Sequence, residues 1–209
     1  MKPFYQDSYA TIYCADCREV LPDVFGFDLV LTDPPYGIAW KRGVNHQRAS
    51  KAHQGIIGDG DTSARDWVLE SIDVPAIVFG SFYAPVTGFR RDAEPIFLVG
   101  EWPFQTVQFS SVLHSPNGQS KTVTETGHPH TKPIDVVMRL VEFTEAETIL
   151  DPFMGSGTTL VAAKRLGRHS IGIEIEEKYC EIAARRLEAE TTLFDIAPPH
   201  PVQPDLLRE

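Results

Sequence analysis

Short apolar runs that end in polar or glycine-containing sequence are the feature that most restricts the fold of this chain. Three such runs cover residues 28–32, 76–79 and 148–150, a fourth covers 170–175, and a fifth candidate covers 11–14. Runs of this length without polar alternation are typical of parallel strands that are buried on both faces. Apolar residues at helical spacing lie between them, at 133–143, 158–166 and 176–189. This alternation predicts a parallel α/β sheet, which binds ligands at the carboxyl ends of its strands.

The composition of the 209-residue chain is that of an ordinary globular domain, with 42% hydrophobic and 23% charged residues. No apolar run approaches the roughly 18 residues of a membrane-spanning helix, and the N-terminus lacks the apolar core of a signal peptide. We therefore expect a cytoplasmic protein without a membrane partner. One domain is expected over residues 1–196, followed by a proline-rich extended tail at 197–209.

The three cysteines, Cys14, Cys17 and Cys180, argue against a disulfide framework because their number is small and odd. Cys14 and Cys17 have the spacing of half a zinc site, but no second cysteine or histidine pair follows to complete about four ligands. We therefore expect no metal. Cys14 is expected to pack within a strand, and Cys17 to lie near the end of that strand.

A glycine turn separates the predicted strand 148–150 from the predicted helix 158–166 and is a candidate ligand-binding loop. Gly155 and Gly157 allow the backbone to turn sharply and to approach a ligand closely. Thr158 opens a helix whose N-terminus faces the same place. Glu174 ends the next predicted strand, where an acid can accept hydrogen bonds from ribose hydroxyls.

The residues inside this turn indicate what kind of ligand it holds. The Asp151 carboxylate would repel a pyrophosphate but could hold an amino group. The turn therefore favours a nucleoside that carries an ammonium group, and S-adenosyl-L-methionine fits this description. Phe153 and Ser156 complete the turn and are candidate cofactor-binding residues with it.

A second chemical motif, Asp33-Pro34-Pro35-Tyr36, follows the predicted strand 28–32 directly. Two prolines stiffen the backbone and remove two N–H donors, so the corner is rich in acceptors: the Asp33 carboxylate and the Pro34 carbonyl. An amine that attacks a methyl donor needs such acceptors for its N–H groups, and Tyr36 offers an aromatic face for the base that carries the amine. A plain proline turn is the alternative, but its place at the carboxyl end of a strand favours catalysis.

Together these motifs resemble the permuted β class of DNA amino-methyltransferases, which make N6-methyladenine or N4-methylcytosine. The order is characteristic of the class, because the Asp-Pro-Pro-Tyr corner precedes the glycine turn. The resemblance implies a Rossmann-like, mostly parallel seven-stranded sheet with helices on both faces. It also implies direct in-line methyl transfer from S-adenosyl-L-methionine to a base flipped out of the duplex, with no covalent adduct and no catalytic metal.

Further residues match the family pattern in register. The element at 128–133 is similar to one that lines the methionine side of the cofactor pocket, which implies cofactor contacts for His128, Thr131 and Lys132. Asp16 matches an acid that contacts the cofactor adenine, and Asp33 is expected to border the cofactor as well as the base.

The net charge of −10 argues against DNA binding by the chain as a whole. However, the stretch 41–53 follows the catalytic corner and carries four cations without an acid: Lys41, Arg42, Arg48 and Lys51. A loop at the mouth of the base pocket could follow the DNA backbone, so we expect these residues to contact DNA. A solvated surface loop is the alternative.

The middle of the chain, about residues 81–127, is short for the family, so a strand and most of a target-recognition insert are expected to be reduced. Trp102, Phe104 and Phe109 are expected to belong to the core rather than to contact DNA. We favour adenine N6 as the target because Asp, rather than Ser, precedes the prolines. The alternatives are an N4-cytosine enzyme and a non-catalytic cofactor- or DNA-binding remnant. A cognate restriction endonuclease is a candidate partner, and the oligomeric state is left open.

Overall fold

The structure, a computed structural model, describes residues 1–35, 60–80, 95–102, 113, 115 and 131–190. These residues form a seven-stranded sheet with the order β1-β2-β7-β6-β3-β4-β5. The strands are β1 (Tyr5–Gln6), β2 (Ala10–Cys14), β3 (Leu29–Thr32), β4 (Ala76–Phe79), β5 (Ile96–Val99), β6 (Thr148–Asp151) and β7 (His169–Glu174). The five central strands are parallel, and β1 and β5 close the two edges as antiparallel strands.

The helices of the described ranges lie where the apolar spacing predicts them. They are α1 (Cys17–Val20), α2 (Ser63–Ser71), α3 (Ile134–Glu142), α4 (Thr158–Arg165) and α5 (Glu177–Ala189). A short 3-10 helix, Leu21–Asp23, follows α1. None of the helices in the described part of the chain is long and apolar enough to cross a membrane.

Both faces of the sheet are covered, which explains why its central strands are apolar throughout. In β3, Leu29 and Leu31 pack towards α3 and α4, whereas Val30 packs towards α1 and α2. In β4, Ile77 and Val78 divide between the same two layers. Adjacent residues of a strand point to opposite faces, so a strand between two helical layers is buried at every position. The predicted fold, a mostly parallel α/β sheet with helices on both faces, is thereby confirmed.

Two details concern residues whose environment the sequence left open. Cys14 ends β2, and Cys17 is buried as the first residue of α1 rather than at the strand itself. Trp102 packs against the core layer that contains α3, and its indole N–H donates to the Val99 carbonyl over 3.2 Å. Phe104, Phe109 and most of the shortened stretch 81–127 lie outside the described residues.

Candidate active site

The acceptor corner and the glycine turn begin side by side at one edge of the sheet. β3 and β6 are parallel neighbours, with Val30 opposite Leu150. One step beyond β3, the Thr32 hydroxyl donates a hydrogen bond to Asp151 Oδ1 over 2.8 Å, and both residues are buried. The segment that starts at Asp33 therefore opens onto the same edge as the turn that follows Asp151.

Asp33 has a cationic partner at this edge. The Lys132 ammonium lies 2.8 Å from Asp33 Oδ2, and the exposed fractions of the two side chains are 9% and 20%. The same ammonium lies 5.2 Å from the ring centre of Phe79, the last residue of β4. Pro34 is buried and Pro35 is half-buried. Lys132, which the sequence assigns to the cofactor, is thus brought against the candidate catalytic carboxylate.

The glycine turn is fastened to the next strand and to α5. The Met154 N–H donates to the Ile173 carbonyl over 3.0 Å, and the Gly157 N–H donates to the Met154 carbonyl over 2.8 Å. Gly155 and Gly157 have positive φ angles of 50° and 78°. A Cβ atom on Gly157 would lie 2.7 Å from the Cβ of Ala183 in α5. Glycine at this position thus meets a backbone and a packing requirement, and it sets the direction of the α4 N-terminus.

Glu174 holds the turn from the end of β7. Its Oε2 atom accepts from the Gly155 N–H over 3.1 Å, and its Oε1 atom accepts from the Glu176 N–H over 2.8 Å. Burial raises the pKa of Glu174 to about 7; the negative charges of Glu176 and Asp151 add to the increase and the two backbone hydrogen bonds oppose it. A carboxyl group in this state gains from any ligand that brings hydroxyl donors or positive charge.

Asp151 is the most buried acid of the site. Burial raises the pKa of Asp151 to about 6, hydrogen bonds from Thr159, Thr32 and the Phe153 N–H oppose the shift, and the charge of Asp33 adds to it. The cost of ionising this carboxyl is reduced when a cation lies beside it. Asp151 is therefore suited to a ligand with an ammonium or sulfonium group and unsuited to phosphate.

Arg186 of α5 braces the turn from behind and was not identified from the sequence. Its Nη1 donates to the Ser156 carbonyl over 2.5 Å and to Thr158 Oγ1 over 3.2 Å. Ser156 Oγ also lies 3.2 Å from Thr131 Oγ1, at the approach to α3. The position of Arg186 one helical turn after the buried Ala183 is the signal that could have indicated an inward-facing arginine.

Asp16 lies at the same carboxyl edge, after β2. The Ala15 N–H donates to the Glu174 carbonyl over 3.0 Å, so the end of β2 and the end of β7 are adjacent. The Asp16 carboxylate caps α1 through the Arg18 N–H at 2.9 Å and pairs with the Arg18 guanidinium. These hydrogen bonds, those from the guanidinium first, lower the pKa of Asp16. Ile175, which is 47% exposed, adds an apolar surface beside Glu174 that the sequence analysis did not single out.

The remaining predicted site residues lie outside the described part of the chain: Tyr36, His128, Lys41, Arg42, Arg48 and Lys51. Within the described ranges, no three His, Cys, Asp or Glu side chains are grouped so that they could hold a metal ion.

The fold is that of a class of solved methyltransferase structures. The M1.HpyAVI–SAM complex matches with a TM-score of 0.58 and 22% identity, over 85% of this chain and 98% of that one. The cytosine-N4-specific PvuII DNA methyltransferase matches with a TM-score of 0.53 and 18% identity, over 93% of this chain and 98% of that one. At these identities the likeness establishes the fold.

The family follows from the sequence match. A family model described as DNA methylase, of the N6/N4 type, covers residues 67–185, and the chain belongs to this family. The resemblance inferred from the motifs is thereby confirmed at the level of the N6-adenine/N4-cytosine family.

Two relatives match over shorter regions. The type II methyltransferase M2.DpnII of Streptococcus pneumoniae is 54% identical over 65 residues, which are 30% of this chain and 24% of the relative. The type II methyltransferase M.ScaI of Streptomyces caespitosus is 42% identical over 94 residues, 44% of this chain and 30% of the relative. The match thus spans less than a third of either relative.

Proposed function

We propose that this protein is an S-adenosyl-L-methionine-dependent DNA methyltransferase that methylates an exocyclic base nitrogen, with N6 of adenine as the preferred target. The observation that carries the proposal is the hydrogen bond from Thr32 to Asp151, at 2.8 Å between neighbouring parallel strands. It ties the strand that leads into the acceptor corner to the strand that leads into the glycine turn. An amine and its methyl donor need to meet within one such cleft.

The residues of the cleft fit the proposed cofactor. Asp151 is buried with a raised pKa, which favours a ligand with positive charge over one with phosphates. Glu174 would accept the ribose hydroxyls, while Asp16 and the exposed Ile175 would border the adenine. When bound, S-adenosyl-L-methionine supplies an electrophilic methyl group on a sulfonium sulfur.

The rest of the cofactor assignment follows the motifs. The turn residues Phe153, Gly155, Ser156, Gly157 and Thr158 would enclose the methionine end, together with Thr131 and His128 of the segment before α3.

The acceptor corner prepares the target amine. The Asp33 carboxylate and the Pro34 carbonyl accept its two N–H groups, so the nitrogen lone pair is available for the methyl carbon. As the N–C bond forms, the carbon–sulfur bond breaks, and the Asp33 carboxylate is positioned to take the proton that the amine loses. Pro35 keeps the corner rigid, and Tyr36 is proposed to stack on the flipped base.

Adenine N6 is preferred over cytosine N4 because aspartate precedes the two prolines, as in the adenine enzymes that the motif resembles. Both amines carry two N–H groups, so the acceptor corner serves either one. Digestion of methylated DNA to nucleosides separates the two proposals: N6-methyladenine supports the first, and N4-methylcytosine supports the second.

Methyl transfer to duplex DNA from labelled S-adenosyl-L-methionine tests the assignment of Asp33. Replacing Asp33 by Ala should lower the single-turnover rate by about 100-fold or more, because a positioned acceptor is worth roughly 10²–10⁴ in rate. Asp28→Ala is the matched control, since Asp28 precedes the same strand at its other end and accepts from the Thr148 N–H at 3.0 Å. It should lose stability but keep the rate.

An Asp33→Ala variant as active as the wild type would refute the catalytic role. A wild-type protein that binds the cofactor in calorimetry but methylates no DNA would instead support the non-catalytic alternative.

DNA is the proposed partner, with the target base flipped out and the cations Lys41, Arg42, Arg48 and Lys51 following its backbone. A cognate restriction endonuclease is a proposed companion, since both relatives above are type II methyltransferases by name. One domain over 1–196 with a tail at 197–209, a permuted order of the motifs and a cytoplasmic location complete the proposal.

A further inference from the structure

Two carboxyl groups of the site, Asp33 and Asp151, lie close enough for the charge of Asp33 to raise the pKa of Asp151. Two neighbouring carboxyls compete for ionisation, and different surroundings decide which one keeps its charge. The described polar partners of Asp151 are neutral groups: the hydroxyls of Thr32 and Thr159 and the Phe153 N–H. Asp33, by contrast, has the Lys132 ammonium at 2.8 Å.

Lys132 is held in this place from several sides. It is 7% exposed and immediately precedes Pro133, the residue that caps α3. Its other neighbour, Thr131, lies within 3.2 Å of Ser156 in the glycine turn. Its ammonium stands 5.2 Å from the ring centre of Phe79, at the end of β4. A move of the ammonium towards the cofactor would leave the Asp33 charge without this partner, which costs free energy in a half-buried site.

We propose that Lys132 is a positioning residue for methyl transfer: its ammonium holds Asp33 Oδ2 and keeps the carboxyl ionised, so that Oδ1 is the atom that accepts the target amine. This inference rests on the proposed function and assigns Lys132 a role through Asp33 instead of the cofactor contact that the motif implies. Within the described residues, the charged groups that face Asp33 are Lys132, before α3, and Asp151, at the end of β6.

The consequence is a pH-dependent rate. With Lys132 present, Asp33 is ionised over the whole neutral range. Without it, Asp33 faces Asp151 with no described cation beside it, so its pKa rises and protonation removes the acceptor. Lys132→Met should therefore shift the acid limb of the single-turnover rate upward by one pH unit or more. The rate should fall at least tenfold at pH 7 and recover at higher pH.

Three comparisons make the test specific. Lys132→Arg keeps the charge and should keep the acid limb near its wild-type position. Lys164→Met is the matched control, because Lys164 is also buried and also paired at 2.8 Å, but with Asp7 away from the site. It should lower stability without moving the acid limb. Cofactor affinity from calorimetry should change less than threefold in all three variants.

The opposite pattern would overturn the inference: cofactor affinity reduced tenfold or more in Lys132→Met with the acid limb unmoved makes Lys132 a cofactor ligand. The titration of Asp33, followed by NMR of ¹³C-labelled aspartate, provides a readout without methyl transfer. A raised Asp33 pKa in Lys132→Met, but not in Lys164→Met, supports the pairing even if the wild type methylates no DNA, a result that would count against the proposed function alone. An unchanged Asp33 pKa overturns the inference.

Discussion

Replacing Gly157 by Ala tests whether the glycine turn is held in place by α5. Gly157 has a φ of 78°, and a Cβ atom there would lie 2.7 Å from the Cβ of Ala183. The left-handed conformation costs a residue with a Cβ about 1–2 kcal/mol, and overpacking costs about 1–3 kcal/mol. We therefore expect Gly157→Ala to lower the free energy of unfolding by roughly 2–5 kcal/mol. Since Gly157 also directs the N-terminus of α4, cofactor affinity should fall with it.

Gly26→Ala separates the two contributions. Gly26 has a nearly identical φ of 81°, but nothing lies within 4 Å of a Cβ built there. This control should lose only the conformational part, about 1–2 kcal/mol. The double variant Gly157→Ala/Ala183→Gly should recover the packing part, so a double-mutant cycle should give a coupling energy of about 1–3 kcal/mol.

Urea denaturation of the four variants, with calorimetric titration of S-adenosyl-L-methionine, measures both effects. Equal losses of stability in Gly157→Ala and Gly26→Ala, with no coupling to Ala183, would refute the packing explanation. The turn would then depend on its own backbone conformation and not on α5.

Two other substitutions probe the same edge of the sheet. Burial raises the pKa of Asp151 to about 6, so the folded protein binds more protons than the unfolded chain between about pH 4 and 6 and loses stability as the pH rises through that window. Asp151→Asn should therefore be more stable than the wild type at pH 8, by on the order of 2 kcal/mol, yet bind the cofactor more weakly; denaturation at pH 4 and pH 8 checks this, and a pH-independent difference would contradict it. Arg186→Ala should weaken cofactor binding by about tenfold, the equivalent of roughly 1.4 kcal/mol for a lost charged hydrogen bond. Arg185→Ala is its control, since that side chain is 69% exposed, and equal effects of the two variants would contradict the brace.

The sequence alone was sufficient for the elements and for the kind of chemistry. Uninterrupted apolar runs such as 29–32 and 76–79 indicated strands between two helical layers, because only burial on both faces removes the polar alternation. Gly155 and Gly157 marked a tight turn, and both have the positive φ that glycine adopts without strain. These properties are local: each depends on a residue and its near neighbours along the chain, so a pattern can reveal them.

The partners of the functional side chains were decided only by the tertiary structure. Thr32 donates to Asp151 across 119 residues of sequence, and Arg186 reaches the Ser156 carbonyl across 30. Lys132, whose motif suggested the cofactor, lies instead against Asp33. Such pairs follow from which strands are neighbours and in what register, and no periodicity records that choice. The sequence thus indicated which groups the site contains, whereas the order of the strands determined which group acts on which.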